Sequence, residues 1–356
     1  MRFAIAVNMQ RADAATPMRR VIEEVLDLVK AAEQGGFDIA WAAEHHGVEL
    51  TVGPNPFLQL THWAGHTHRI RLGPAVVVAP YWHPIRLAGE AGLFDLYSDG
   101  RLELGVGRGA FQYEFDRMGN GIPQVQGGDY LREMVPLLKA LWAGDVEYRG
   151  KYWSFPKTTA LPKPQQQPHP PIWVACRGPE TFQWAVANGL EIMCTPLSKP
   201  FDEVEDLVRK YRETLAANPG IARPRLLVLR RTCVYDRPQQ WREIAQTEYR
   251  YARRFAGLFQ TSGTVVDGFP AALPDEDDAT RDERLLQIQQ AMMFGTPDEV
   301  TQRLRAYEAL GFDYFCYGAN FDLPHHQARR SLDLFIERVM PHFHERGEAR
   351  AGTGGA

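Results

Sequence analysis

The feature that most restricts how this chain folds is an alternation. Short apolar runs rich in Val, Ile and Ala are separated by longer stretches with a helical apolar period. Such a pattern predicts β-α units on a parallel sheet, because a parallel strand is covered on both faces and reads as apolar throughout. Eight runs qualify as strands: residues 3–9, 38–44, 70–80, 101–109, 170–175, 189–195, 226–235 and 312–318. Between the first two, Val21, Ile22, Val25, Leu28, Val29 and Ala32 fall on one helical face, which stops at Gly35-Gly36. Residues 55–70 and 83–100 read as the next two helices. The last helix opens with Thr296 as cap, Pro297 in the first turn and Glu299 placed for a capping box. Eight strands with intervening helices predict a (β/α)8 TIM barrel, a fold that reaches 356 residues as one domain when it carries insertions.

Two stretches break the repeat. Residues 147–170 alternate aromatics around Gly150 and then become proline-rich, which predicts a hairpin and a stiff connector. Residues 257–290 are polar and rich in Gly and Pro, and are expected to form a mobile cover over the active site. The barrel is expected to span 1–346, with 347–356 a disordered tail.

Charge and composition narrow the function classes. Lys and Arg number 40 against 44 Asp and Glu, a net charge of −4 without a basic stripe, so nucleic acid is not an expected partner. No apolar run approaches the ~20 residues of a membrane span, and the run at residues 3–7 is shorter than a signal-peptide core. Cys176, Cys194, Cys233 and Cys316 form no C-x-x-C pair, which fits a reducing cytoplasm. His62, His66, His68, His325 and His326 raise a metal reading, but the first three fall within a helix away from the strand ends, and no metal site is expected.

In a parallel barrel the catalytic groups lie where strands end. Strand two ends in Glu44-His45-His46, titratable groups directly after an apolar run. Strand four runs into Gly105-Val106-Gly107-Arg108-Gly109, where small residues let a ligand approach and a guanidinium can grip an anion. Strand five leads through Arg177 and Gly178 into a helix with Thr181 in its first turn, and free amides there make a phosphate seat. With an apolar floor near Tyr81 and Trp82, this constellation suits a flavin mononucleotide or, equally, a phosphosugar.

Four blocks carry a family resemblance: GFDIAWAAEHH, LGPAVVVAPYWHPIRLAGEAGLFDLYSDGRLELGVGRG, WVACRGPETFQWAVANGL, and FGTPDEV followed by LGFDYFCYG. In this order they make the chain resemble the bacterial-luciferase-like flavin monooxygenases over nearly its whole length. The resemblance implies reduced FMN supplied by a separate NAD(P)H:flavin reductase. It also implies reaction with O2 through a peroxyflavin that oxygenates a small apolar organic substrate such as an aldehyde, ketone or terpene. His45 matches the family's catalytic histidine, with Glu44 supporting it. Arg108 matches the phosphate-binding arginine, Gly109 adjoins it, Gly178 and Thr181 fall on the phosphate turn, and Ala75-Val76 take the place of a non-prolyl cis peptide against the flavin ring. Gly107 stands where the luciferase subunit has a reactive cysteine, which argues against light emission, and Arg177 stands where it has an acidic residue, which makes the phosphate cradle more basic. Trp41, Tyr81, Trp82 and Phe111 are expected to line the substrate pocket. A homodimer is implied. A deazaflavin-dependent dehydrogenase and a non-catalytic flavin-binding subunit are the alternative readings.

Overall fold

The computed structural model describes residues 1–196, 198–259, 264–274, 276–319 and 321–343, so the tail expected at 347–356 lies outside the described residues. Eight strands make the barrel: β1 (Arg2–Ala6), β2 (Ile39–Ala42), β3 (Arg71–Pro74, resumed at Val77–Val78), β4 (Leu104–Gly107), β5 (Ile172–Ala175), β6 (Glu191–Cys194), β7 (Leu226–Val234) and β8 (Tyr314–Gly318). Neighbours are parallel all the way round, from Ala4 opposite Ile39 to Tyr314 opposite Arg2, where β8 meets β1. The first part of β3 pairs with β2, and its continuation pairs with β4, with Val78 opposite Gly107. The expected (β/α)8 barrel is the observed one.

The helices that cover it are α1 (Met18–Gln34), α2 (Pro56–Ala64), α3 (Pro84–Tyr97), α4 (Gln112–Met118), α5 (Gly127–Ala143), α6 (Pro179–Ala187), α7 (Phe201–Ala216), α8 (Trp241–Gly257), α9 (Asp278–Ala291), α10 (Pro297–Leu310) and α11 (His325–Arg338). The capping box of α10 forms, with Thr296 N–H donating to Glu299 Oε2 at 2.7 Å. None of the described helices is long and apolar enough to cross a membrane.

Apolar residues sit on both faces of the strands, as parallel pairing requires. The helix-facing shell is the larger. Inside the barrel, Trp41, Trp173 and Tyr314 meet edge to face, Trp41 to Trp173 at 5.7 Å and Trp173 to Tyr314 at 6.1 Å. Burying an aromatic of this size contributes about 2–3 kcal/mol, so this plug holds the N-terminal half of the barrel shut. Beneath it the buried Glu103 carboxylate takes Arg225 at 3.0 Å as a charge partner. Function is left to the opposite, C-terminal end.

The structure corrects several boundaries. α2 stops at Ala64, where Gly65 caps it, so His66 and His68 lie beyond the helix in which they were expected. Residues 147–170 do form a hairpin, Val146–Arg149 against Ser154–Thr158, and then the connector. The connector packs at the N-terminal end of the barrel, where Gln166 bonds Asp95, Arg71 and the Leu102 carbonyl. The stretch 257–290 is more regular than its composition implies. It holds a short hairpin, Val265–Val266 with Phe269–Pro270, and then α9, started by Asp277, whose carboxylate accepts from Thr280 N–H at 2.9 Å. Helix α9 buries little besides Leu285, Ile288 and Ala291, so its apolar period is faint in sequence. An extra short strand, Met293–Gly295, pairs in parallel with the C-terminal end of β7 and has no counterpart in the eight-strand reading.

Candidate active site

His45 lies three residues past Ala42, the last residue of β2. Its backbone pairs with Gly53, His45 N–H to Gly53 O at 3.1 Å and the reverse at 3.3 Å, which stops the loop from drifting. A side chain at Gly53 would stand 2.2 Å from the Ala43 carbonyl, so the pairing needs glycine there. The imidazole stacks on Phe111, ring centres 4.5 Å apart and planes within 20°. Its Nδ1 lies 3.0 Å from Glu114 Oε1, an oxygen that also accepts His46 N–H at 2.8 Å. Glu114 is buried, and with an ionised carboxylate the Nδ1–H tautomer donates to it and leaves Nε2 for a ligand.

Glu44, expected beside His45, borders the same cleft, but its carboxylate is engaged by other groups. One carboxylate oxygen accepts Val78 N–H at 2.7 Å and the Trp82 indole N–H at 2.9 Å, while the other meets His46 Nε2 at 2.9 Å. Glu44 therefore anchors the resumed part of β3, and Glu114 is the carboxylate that His45 touches. Tyr81 and Trp82 move with it: a single helical turn at Ala79–Tyr81 carries them behind Glu44, against His46 and Phe57, and neither lines the cavities described below. Burial and the nearby carboxylates push the Tyr81 hydroxyl well above its ordinary range.

The expected phosphate residues come together. A cleft of about 460 Å³ at the C-terminal end of the barrel is lined by Arg108, Gly109, Arg177, Gly178 and Thr181, and also by His45, Glu44, Ala75 and Val76. The peptide bond between Ala75 and Val76 is cis. Val76 packs against β4 so closely that a Cβ on Gly107 would stand 2.2 Å from its Cγ2, which explains why no larger side chain occupies position 107. Gly178 caps α6 without any side-chain acceptor, and a Cβ there would meet open space. Thr181 N–H already returns to Gly178 O at 3.1 Å, so the hydroxyl of Thr181 is its free donor toward the cleft. Arg108 is exposed and, among the described residues, pairs with no carboxylate, whereas Arg177 is held by Glu203 at 3.1 Å. Arg132, on the first turns of α5, joins Arg108 and Arg177 in the lining as a third cation; nothing in its helical sequence marks it for that place.

His45, Ala75, Val76 and Ala175 also line a second, deeper cavity of about 230 Å³ inside the barrel mouth, so the two spaces adjoin. Trp41 lines it, as expected, with Met193, Leu227 and Leu229. So does Arg231, which was not expected. The pair Arg230-Arg231 inside an apolar strand was the available signal: alternation sends Arg230 outward to Tyr307 and the Lys199 carbonyl, and Arg231 inward. Arg231 pairs with the fully buried Glu248 of α8, and its guanidinium lies 4.4 Å over the Tyr251 ring. Burial pushes the Glu248 carboxyl up to about 7 against the pull of Arg231. The short hairpin after α8 reaches the rim, where Gly268 O accepts Glu49 N–H at 2.7 Å and Gly268 shares a small surface hollow with His45.

Residues 1–314 match the family model for luciferase-like monooxygenases. The oxygenase component of a flavin-dependent trigonelline monooxygenase from Acinetobacter baylyi is 38% identical over 97% of this chain and 96% of its own length. Among solved structures, monooxygenase RslO1 from Streptomyces bottropensis superposes with a TM-score of 0.82 at 25% identity, over 96% of this chain and all of that one. The oxygenating constituent of 3,6-diketocamphane monooxygenase from Pseudomonas putida, in complex with FMN, shares the fold with a TM-score of 0.75 at 21% identity, over 96% and 98% of the two chains. On this match across most of its length, the chain belongs to the luciferase-like monooxygenases and is an oxidoreductase of that family.

Proposed function

We propose that this protein is the oxygenase component of a two-component monooxygenase, which takes reduced FMN from a separate NAD(P)H-dependent flavin reductase and uses O2 to oxygenate a small organic molecule. The observation that carries the reading is the joined pair of cavities: an outer cleft with an unpaired guanidinium at Arg108 and a helix start at Gly178, opening into an inner cavity beside His45. The open space over Gly178 is what a phosphate at the start of α6 requires. In this reading Arg108 and Thr181 hold the phosphate, Gly109 and Arg177 border it, and Ala75 and Val76 bear on the flavin ring.

Bound reduced FMN supplies the two electrons with which O2 is activated. The chain's own groups orient and shield that chemistry. His45, fixed through Nδ1 by Glu114, holds and passes a proton at Nε2. Phe111 covers one face of the imidazole, with Phe255 and Phe259 packed edge-on behind it at 5.2–5.3 Å. The relative's named substrate, trigonelline, is the first compound to try, beside small ketones and aldehydes. A homodimer acting in the cytoplasm belongs to the same reading.

The test is an anaerobic titration of the purified chain with oxidised and reduced FMN, FAD and deazaflavin. O2, NAD(P)H, a generic flavin reductase and the candidate substrates are then admitted. Reduced FMN should bind and O2 should be consumed with an oxygenated product. Binding of deazaflavin alone, with hydride transfer and no O2 uptake, would refute the proposal in favour of a dehydrogenase. Flavin binding without turnover would leave an accessory subunit.

A further inference from the structure

The inner cavity is apolar and aromatic on most of its wall, with Trp41, Leu229, Tyr251 and Phe255 around it. Among the described residues that line it, Arg231 is the one permanently charged group, and no carboxylate shares the surface. A guanidinium is costly to place in such a space unless its charge is paired. Glu248 supplies a partner from behind: it bonds Nη1, and its own side chain keeps no exposed surface, while that of Arg231 keeps 15%. The opposing arrangement, a carboxylate toward the cavity and the arginine behind, would favour cations. Here the cation faces the space, and a planar guanidinium has five N–H donors, of which Glu248 engages one end.

We infer that Arg231 is a specificity-determining residue that receives the carboxylate of a small planar organic acid in the inner cavity, with Tyr251 and Phe255 against the ring of that acid. Glu248 is a positioning residue in this scheme, because it fixes the guanidinium and touches no ligand. The inference rests on the proposed function for its meaning and refines the substrate from apolar to anionic. The earlier expectation of an apolar aldehyde, ketone or terpene leaves Arg231 without a role. A ring flanked by Trp41 and the α8 aromatics and fixed at one end by a bidentate ion pair would present a defined edge toward His45.

The test uses the full chain and two isosteric probes, benzoate and benzamide, followed by calorimetry with and without saturating FMN. Benzoate should bind about tenfold or more tightly than benzamide, the size of a charge-assisted hydrogen bond. Arg231→Met should abolish the preference while changing FMN affinity by no more than about twofold. Arg231→Lys should retain part of the preference as a point charge. Because Arg231→Met strands Glu248 in the interior, the double variant R231M/E248Q removes both charges together and guards against a misfolded single variant. Equal binding of the two probes, or a preference that survives in R231M/E248Q, overturns the inference. So does a loss of FMN affinity in R231M as large as the loss for benzoate, since the guanidinium would then serve the flavin. Failure of FMN to bind at all strikes the proposed function alone, because the probe titration without FMN still reports on Arg231.

Discussion

At the scale of single residues, the proposed proton chemistry would rest on a histidine whose sequence position was plain and on a carboxylate whose position was not. His45 follows an apolar strand and so falls at the barrel mouth, whereas Glu114 looks like any acidic residue in the first turn of a helix. Adjacency in sequence pointed to Glu44, which borders the same cleft and bonds Val78 and Trp82, while Glu114 is the carboxylate that His45 touches. If the reading is right, His45→Ala lowers product formation by about 10²-fold, the usual worth of a positioned acid-base group, with FMN affinity nearly unchanged. Glu114→Gln keeps an acceptor for His46 N–H and loses the charge. It should slow product formation by about tenfold and raise the share of O2 released as peroxide, because charge-assisted bonds are roughly twice as strong as neutral ones. Single-turnover kinetics with peroxide measured in parallel decides this. Unchanged coupling in both variants removes the pair from the mechanism.

At the scale of elements, the strands and the capped helices follow from local rules, and the loops that join them follow from contacts. The capping box of α10 is an example of the first kind. Glu33, at the end of α1, is an example of the second: its carboxylate accepts the backbone N–H groups of His68, Arg69 and Ile70 at 2.8, 2.6 and 2.9 Å and so fixes the entry into β3. Burial pushes the Glu33 carboxyl up, but these three amides, with Arg101 nearby, outweigh it and hold the group below its ordinary 4.5. A lowered folded value means that the stabilisation is complete above the unfolded value and is lost as pH falls through the folded one. Glu33→Gln should therefore lower Tm by about 2 °C at pH 7, with the gap to the wild type narrowing as the pH falls from the ordinary 4.5 through the lowered folded value. Thermal denaturation at pH 7 and pH 3.5 measures the gap. A gap of the same size at both pH values contradicts the assignment. Helix α9 shows the converse case, an element whose polar sequence conceals it because few of its residues are buried.

At the scale of the whole molecule, a flavin seated across the ends of β3, β4 and β5 would bind three strands of one closed sheet, so its binding energy should protect the barrel as a unit. FMN at about 100 times its Kd should add about 2.7 kcal/mol to the stability of the native state. Calorimetry should show a single transition moving upward with FMN concentration, as expected if residues 1–346 fold as one domain. Two transitions, of which FMN shifts one, would mean that the insertions fold apart from the barrel. With Arg108→Ala the shift should largely vanish, while with Arg177→Ala most of it should remain, because Arg177 is exposed and tied to Glu203.

What could be read from residue order was periodic: strand and helix spacing, the glycines and prolines that end elements, and the placing of His45, Arg108, Gly178 and Thr181 at strand ends. Periodicity survives in one dimension because each apolar face is a local constraint on neighbouring residues. Glu114 beside His45, Arg231 inside the mouth with Glu248 behind it, and Arg132 over the cleft come from separate elements that meet when the sheet closes. Their meeting depends on the curvature of the barrel and the direction of each side chain, quantities set by packing among hundreds of atoms and carried by no spacing along the chain.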